Sequence, residues 1–308
     1  MSEVNYISIK QNDGYITKLT HYACPDKPKA SILILHGAAE HQKRYNDFAK
    51  FLVDNSYDVY CYDHRGHGTD KKLNELGFFG HDDGYKLVVQ DAINVSNYIQ
   101  NNNRSEGFFL FGHSMGSLIA RNVLQSYDKY HGAILCGTAF PSSFMLRAGL
   151  LMASLIKKFK GDKHYSPFLK KLIFEGKKYI SLSSRTAFDW LSRNNTVVGA
   201  YIHDPYCGFT CTASFYYDLL KLTSNARNKK LMKSTRKNIP LFIISGDRDP
   251  VGGYGKEVTK FINTLNKCGF SKVTSKLYPD CRHELLNELN NKDVYSDILK
   301  WLEKEYKQ

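Results

Sequence analysis

The chain has 308 residues, 42% of them hydrophobic and 13% aromatic, which is enough apolar side chain to offset the entropy of ordering a core and excludes a disordered protein. The formal net charge of +13 sits in one stretch: residues 141–238 hold 18 Lys and Arg against 5 Asp and Glu, while the rest balances 25 against 25, so a uniformly basic nucleic-acid binder is excluded. No apolar run approaches the roughly 20 residues that span a bilayer, the start lacks a basic segment leading into an apolar one, and seven cysteines without a Cys-x-x-Cys pair read as reduced thiols, so the expectation is a cytoplasmic protein.

Short β-rich runs alternate with helical patterns, the signature of a mostly parallel sheet with helices on both faces. Tyr6 to Lys10 and Tyr15 to Tyr22, joined through Asn12, Asp13 and Gly14, read as an antiparallel hairpin. Buried strands follow at Ala30 to Leu35, Asp58 to Tyr62, Phe108 to Phe111 and Gly132 to Cys136. A helix near Tyr45 to Asn55 separates the first pair, and another near Tyr85 to Asn101 places Leu87, Val88, Ala92, Val95 and Ile99 at near-helical spacing. After Thr138 about a hundred residues of helix-like, Lys-rich sequence interrupt the alternation. It resumes with a strand at Pro240 to Ile244, a helix at Gly255 to Leu265, a strand at Val273 to Tyr278 and a helix at Val294 to Tyr306. The expected organisation is an α/β core from residues 1–140 and 239–308 with a helical insertion at 141–238.

Gly112-His113-Ser114-Met115-Gly116 directly follows the strand at Phe108 to Phe111 and precedes the helical run Ser117 to Leu124. A turn that tight needs glycines beside the serine, and it lifts the Ser114 hydroxyl to the sheet's carboxyl edge. A hydroxyl becomes a nucleophile only when a base takes its proton, so an imidazole and an orienting acid must come from elsewhere. In the α/β-hydrolases, which this strand–serine–helix turn resembles, they follow in the order acid, then histidine. Asp249, just beyond the strand ending near Ile244, fits the acid, with Asp247 as rival and Asp280 a weaker one. His283, in the loop after the strand at Val273 to Tyr278, fits the base. Two backbone amides should hold the oxyanion of the tetrahedral intermediate: Met115, at a helix N-terminus, and Ala38, in the loop His36-Gly37-Ala38-Ala39-Glu40-His41.

These residues together resemble the monoacylglycerol lipase and lysophospholipase branch of the α/β-hydrolases over nearly the whole chain. The pieces are the His36 to His41 loop with Arg44 and Tyr45, Tyr62-Asp63-His64-Arg65-Gly66-His67-Gly68, the Ser114 turn, Gly246 through Asp249, and, in the insertion, Ser192-Arg193-Asn194, Tyr201 and Asp204-Pro205 with Cys207 nearby. The resemblance implies an α/β-hydrolase fold whose insertion is a lid-like cap. It also implies that Glu40, Arg44 and Tyr201 line the polar end of the pocket and hold a glycerol-like leaving group; Glu40 and Arg44 pairing only with each other to brace the oxyanion loop is the alternative. Three departures stand out: Ala39 where glycine is usual, Thr69-Asp70 where a serine is frequent, and Leu286 where some monoacylglycerol lipases carry a second, glycerol-contacting histidine.

Phe144, Met145, Leu146, Leu150, Leu151, Met152, Leu155 and Ile156 crowd one helix-length segment that ends in Lys157-Lys158-Phe159-Lys160. A helix that apolar can roof an acyl pocket while its outer face meets an anionic membrane, or it can pack on the core or on another copy. The expected activity is hydrolysis of an ester with one medium or long acyl chain, through an acyl-enzyme on Ser114, with no cofactor and no metal. The partners expected are a small lipid ester and, peripherally, an anionic membrane, with no nucleic acid. A thioesterase or peptidase using the same triad, or a lipid-binding module whose triad is idle, are the alternatives.

Overall fold

The computed structural model describes residues 3–176, 179 and 185–307. Eight strands form one sheet in the order β1-β2-β4-β3-β5-β6-β7-β8. The strands are β1 (Glu3–Lys10), β2 (Ile16–Ala23), β3 (Ala30–Leu35), β4 (Tyr57–Tyr62), β5 (Gly107–His113), β6 (Gly132–Cys136), β7 (Leu241–Gly246) and β8 (Val273–Tyr278). The β1–β2 hairpin pairs antiparallel and joins β4 antiparallel, and every later pairing is parallel. This is the α/β-hydrolase fold, with the two segments flanking the insertion woven into one sheet.

The central strands are buried on both faces, and their side chains divide by the strand period of two. Leu33, Leu35, Phe108, Leu110, Ala133, Leu135, Leu241 and Ile243 enter one apolar cluster, and Ile32, Ile34, Phe109, Phe111, Ile134, Cys136, Phe242 and Ile244 enter the other. On the first face lie α2 (Gly84–Asn102), α3 (Met115–Val123) and, after β7, a helix at Lys256–Lys267, called α9 below. On the second lie α1 (Asn46–Asp54) and the last helix, α10 (Asn291–Tyr306). β8 is an edge strand, and four of its six residues are exposed. All seven cysteines are buried free thiols.

Between β6 and β7 run α4 (Ser143–Lys160), α5 (Pro167–Phe174), α6 (Asn195–His203), α7 (Ala213–Ala226) and α8 (Lys229–Ser234). α4 and α7 are long amphipathic helices capped by the side chains of Ser142 and Thr212. α7 turns Phe215, Leu219 and Leu222 into the first apolar cluster and packs against α2, α3 and α4. α4 buries only Leu146 and Ala153, and it leaves Phe144 81%, Leu151 64% and Phe159 78% exposed. Among the described residues, no helix is long and apolar enough to cross a membrane.

Candidate active site

Ser114 occupies the turn from β5 to α3 with φ 50° and ψ −116°, a conformation that L residues adopt only when their surroundings force it. The Ser114 amide donates to the Cys136 carbonyl at 2.9 Å, and the Ser117 hydroxyl donates to the Ser114 carbonyl at 2.6 Å. Bare glycines make the crossing possible: a Cβ on Gly112 would stand 2.5 Å from the Gly116 carbonyl oxygen, and one on Gly116 would stand 2.0 Å from that of Leu35. The helix expected from Ser117 begins at Met115, so the Met115 amide is one of its N-terminal donors without an intrahelical acceptor.

His283 follows β8 and is buried, and its Nδ1–H donates to Asp249 Oδ2 at 3.0 Å. Asp249 is fully buried and also accepts from the Val251 amide at 2.8 Å and the Ser245 hydroxyl at 3.3 Å. Burial alone would raise its carboxyl, but the charge and hydrogen bond of His283 outweigh burial and hold it below the ordinary value. With Nδ1 committed to Asp249, Nε2 is the nitrogen of His283 left to act as a base. Asp249, rather than Asp247, therefore partners His283, while exposed Asp280 faces Arg248 at 3.7 Å.

The imidazole is seated on all sides. Its ring centroid lies 5.2 Å from that of Trp190 and 4.8 Å from that of His113. Its backbone amide donates to the Trp190 carbonyl at 3.4 Å, and the Glu284 amide donates to the Leu191 carbonyl at 2.7 Å, tying the base's loop to the insertion. Gly137, at φ 59°, closes the remaining side: a Cβ there would lie 3.0 Å from His283 Cε1.

Ser114 and Ala38 stand where two cavities meet. One, of about 1380 Å³ with its open mouth included, runs between α3, α4, α5 and α7 and is lined chiefly by apolar side chains, among them Leu118, Met145, Met152, Leu172 and Leu219. The other, narrower and of about 510 Å³ with its open mouth included, contains His283, Trp190, Glu40, Tyr201, Lys170 and Phe209 on its walls.

The loop after β3 is held by a buried polar network. Glu40 accepts from the Gly37 amide at 2.5 Å, from Arg44 at 2.6 Å and from the Tyr45 hydroxyl at 2.8 Å. Arg44 also makes a two-pronged pair with Glu284, at 2.6 Å for each bond, and stacks 4.8 Å over the Tyr201 ring. Burial would raise both carboxyls, yet Arg44 holds Glu40 and Glu284 below their ordinary range. Ala39 adopts φ 51°, which explains why glycine suits this position; its carbonyl accepts from the Tyr201 hydroxyl at 3.0 Å and the Gly208 amide at 2.9 Å, and its amide donates to His67 Nε2 at 3.1 Å. Glu40 and Tyr201 thus line the smaller cavity with their polar atoms bonded to protein, and Arg44 lies outside its lining, between the two carboxylates. Leu286 is buried.

Below the loop, burial pushes His36 down to about 4, His67 to about 3 and His64 well below the ordinary imidazole value, so all three are neutral near pH 7. His113 moves the other way: burial would lower it, but Glu40 raises it above the ordinary value. Sequence reading missed His113, Trp190 and Glu284. Glu284 alone carried a signal, a carboxylate directly beside the expected base.

The family described as Serine aminopeptidase, S33 matches residues 26–290. The chain is 26% identical over 299 residues to a monoglyceride lipase of Homo sapiens, covering 94% of this chain and 88% of the relative. It is 24% identical over 273 residues to phospholipase YtpA of Bacillus subtilis, covering 88% and 93%. Among solved structures, a highly thermostable carboxyl esterase from Bacillus coagulans in complex with glycerol superposes with a TM-score of 0.89 at 28% identity, covering 99% of this chain and 100% of that one.

Proposed function

The chain belongs to the Serine aminopeptidase, S33 family and is an esterase or lipase of its monoacylglycerol lipase-like kind, and from that premise we propose that it cleaves esters carrying one medium or long acyl chain. The observation that carries the proposal is the position of Ser114 at the junction of a large apolar cavity and a smaller one that reaches His283. An acyl chain occupies the first, and the alcohol leaving group the second, beside His283.

In this reading His283 takes the Ser114 proton as the hydroxyl attacks the ester carbonyl. Asp249 holds the imidazole in the required tautomer and stabilises its charged form. The Ala38 and Met115 amides receive the oxyanion, and His283 then protonates the departing alcohol and activates the water that frees the acid. The substrate is of the monoacylglycerol or lysophospholipid type. Residues 141–238 form the cap over the acyl cavity, and Glu40, Arg44 and Tyr201 act mainly by fixing the Ala38 loop, with Tyr201 and Glu40 shaping the leaving-group cavity. Ester cleavage is favoured over aminopeptidase action because Glu40 and Glu284, the carboxylates beside His283, are already paired with Arg44 and cannot receive a substrate ammonium. The exposed apolar face of α4, with Lys157, Lys158 and Lys160 in its last turn, rests on an anionic membrane surface from which the ester is drawn.

The test is a panel of p-nitrophenyl esters, monoacylglycerols, lysophospholipids, thioesters and peptide amides with the wild-type protein and Ser114→Ala. Activity on long acyl esters that vanishes in the variant agrees with the proposal. A preference for acetyl esters or peptide amides, or activity that survives the substitution, contradicts it.

A further inference from the structure

Beside the active site, the loop after β3 and the end of α6 meet through side chains that the hydrolytic chemistry does not use. His41 lies three residues past Ala38, Asp204 is the C-cap of α6, and Cys207 follows it in a turn whose amide donates to the Asp204 carbonyl at 3.0 Å. His41 Nε2 is 2.8 Å from Asp204 Oδ2, and one ligand atom from each of His41, Asp204 and Cys207 lies within 4.8 Å of the other two. His41 is 5% and Cys207 8% exposed, while Asp204 opens to solvent, so an ion has a route in.

We propose that His41, Asp204 and Cys207 form a binding site for a divalent transition metal of the zinc type, which staples the inserted segment to the oxyanion loop.

The donor set is the chemical argument. One thiolate, one imidazole and one carboxylate are what zinc and cobalt(II) accept in tetrahedral sites, with water in the fourth position, whereas calcium and magnesium take oxygen ligands. Bond lengths of about 2.0 to 2.3 Å put ligand atoms roughly 3.5 Å apart, so His41 and Asp204, 2.8 Å apart, need to part by about 0.7 Å while the widest separation, at most 4.8 Å, closes by about 1 Å, within rotamer adjustment. On binding, the ion displaces the thiol proton to solvent and takes the place of the Nε2 proton that bridges His41 to Asp204, so the neutral imidazole carries its proton on Nδ1. His41 Nδ1 is buried without a hydrogen-bond partner, so no bond has to break for it to take up that proton. The consequence is mechanical. Ala39 already holds the insertion through Tyr201 and Gly208, and coordinate bonds from His41 to Asp204 and Cys207 fasten the same junction two residues further along. This assignment does not depend on Ser114 being the nucleophile.

The experiment titrates the metal-free, reduced full-length protein with cobalt(II). The expected result is a near-ultraviolet thiolate-to-cobalt charge-transfer band with visible bands of tetrahedral intensity at one equivalent, abolished by zinc and absent in both Cys207→Ser and Asp204→Asn, each confirmed folded by its circular dichroism. Zinc at a hundredfold over its Kd should raise the wild-type melting midpoint by about 5 °C and that of Cys207→Ser by less than about 1 °C. The proposal is overturned if wild type gives no charge-transfer band, or if the band persists unchanged in Cys207→Ser, which would place the ion on another of the seven cysteines.

Discussion

Replacing Arg44 with Met removes the cation that holds two buried carboxylates and keeps most of the side chain's volume. Arg44 makes three bonds of 2.6 Å to Glu40 and Glu284, which are 3% and 4% exposed. Removing one partner of a buried pair typically costs about 3 to 5 kcal/mol, because the charge left behind stays desolvated. Protonation sets a ceiling: at pH 7.5, a carboxyl with an ordinary value of 4.5 takes up a proton at a cost of about 4 kcal/mol, using roughly 1.36 kcal/mol per pH unit. Glu40 keeps Tyr45, His113 and the Gly37 amide, so Glu284 is the group that protonates. The expected destabilisation is about 4 kcal/mol at pH 7.5, or roughly 10 °C in the melting midpoint. The sign in pH is equally specific. In wild type these carboxyls are depressed and stabilise the fold above 4.5; in the variant Glu284 is raised, so the penalty shrinks by up to about 1.4 kcal/mol per unit as pH falls from 7.5 to 5. Arg44→Met/Glu284→Gln should recover about half of the loss at pH 7.5. Urea unfolding at pH 7.5, 6.5 and 5.5 measures all three quantities, and a penalty under about 1 kcal/mol, or one independent of pH, refutes the reasoning.

Asp249→Asn should lower kcat on a medium-chain ester by about three to four orders of magnitude by leaving His283 in the wrong tautomer, whereas Asp247→Asn should cost less than about tenfold; equal losses would reassign the acid. The whole protein should lose stability as pH falls below about 6.5, since His36, His64 and His67 are neutral when folded but protonate when unfolded, each costing roughly 2 kcal/mol by pH 5. His113, raised when folded, opposes them with the reverse sign, and a melting midpoint that is flat from pH 7 to pH 5 would contradict the balance of three against one. Leu151→Glu with Phe159→Glu should reduce cosedimentation with anionic vesicles at low salt at least fivefold and leave hydrolysis of a soluble short-chain ester within about twofold; unchanged vesicle binding would detach the α4 face from the membrane.

The sheet and the Ser114 turn were legible because local chemistry dictates them: alternating apolar strands, two glycines that must lack a Cβ, and a helix start that follows at once. Asp249 and His283 were legible because a parallel sheet delivers the ends of β7 and β8 to the same edge as the end of β5. Pairings between distant segments were not. His113, Trp190 and Glu284 surround the base through contacts that join β5, the insertion and the loop after β8, and none of those segments carries a sign of its partner. For the same reason the sequence left open whether Glu40 and Arg44 face a leaving group or brace the loop, since only the position of Glu284 reveals where the guanidinium is spent. Nor could helical periodicity distinguish α7, which sits in the core cluster, from α4, whose apolar side chains stay largely exposed.

We propose the Ser114 hydroxyl as the nucleophile, activated by His283. Treatment with a fluorophosphonate followed by peptide mass spectrometry tests it directly. One adduct per chain, on the peptide containing Ser114, lost in Ser114→Ala and slowed at least a hundredfold in His283→Ala, is the result expected. Labelling of another residue, or an unreactive Ser114 in protein that still hydrolyses esters, would contradict it.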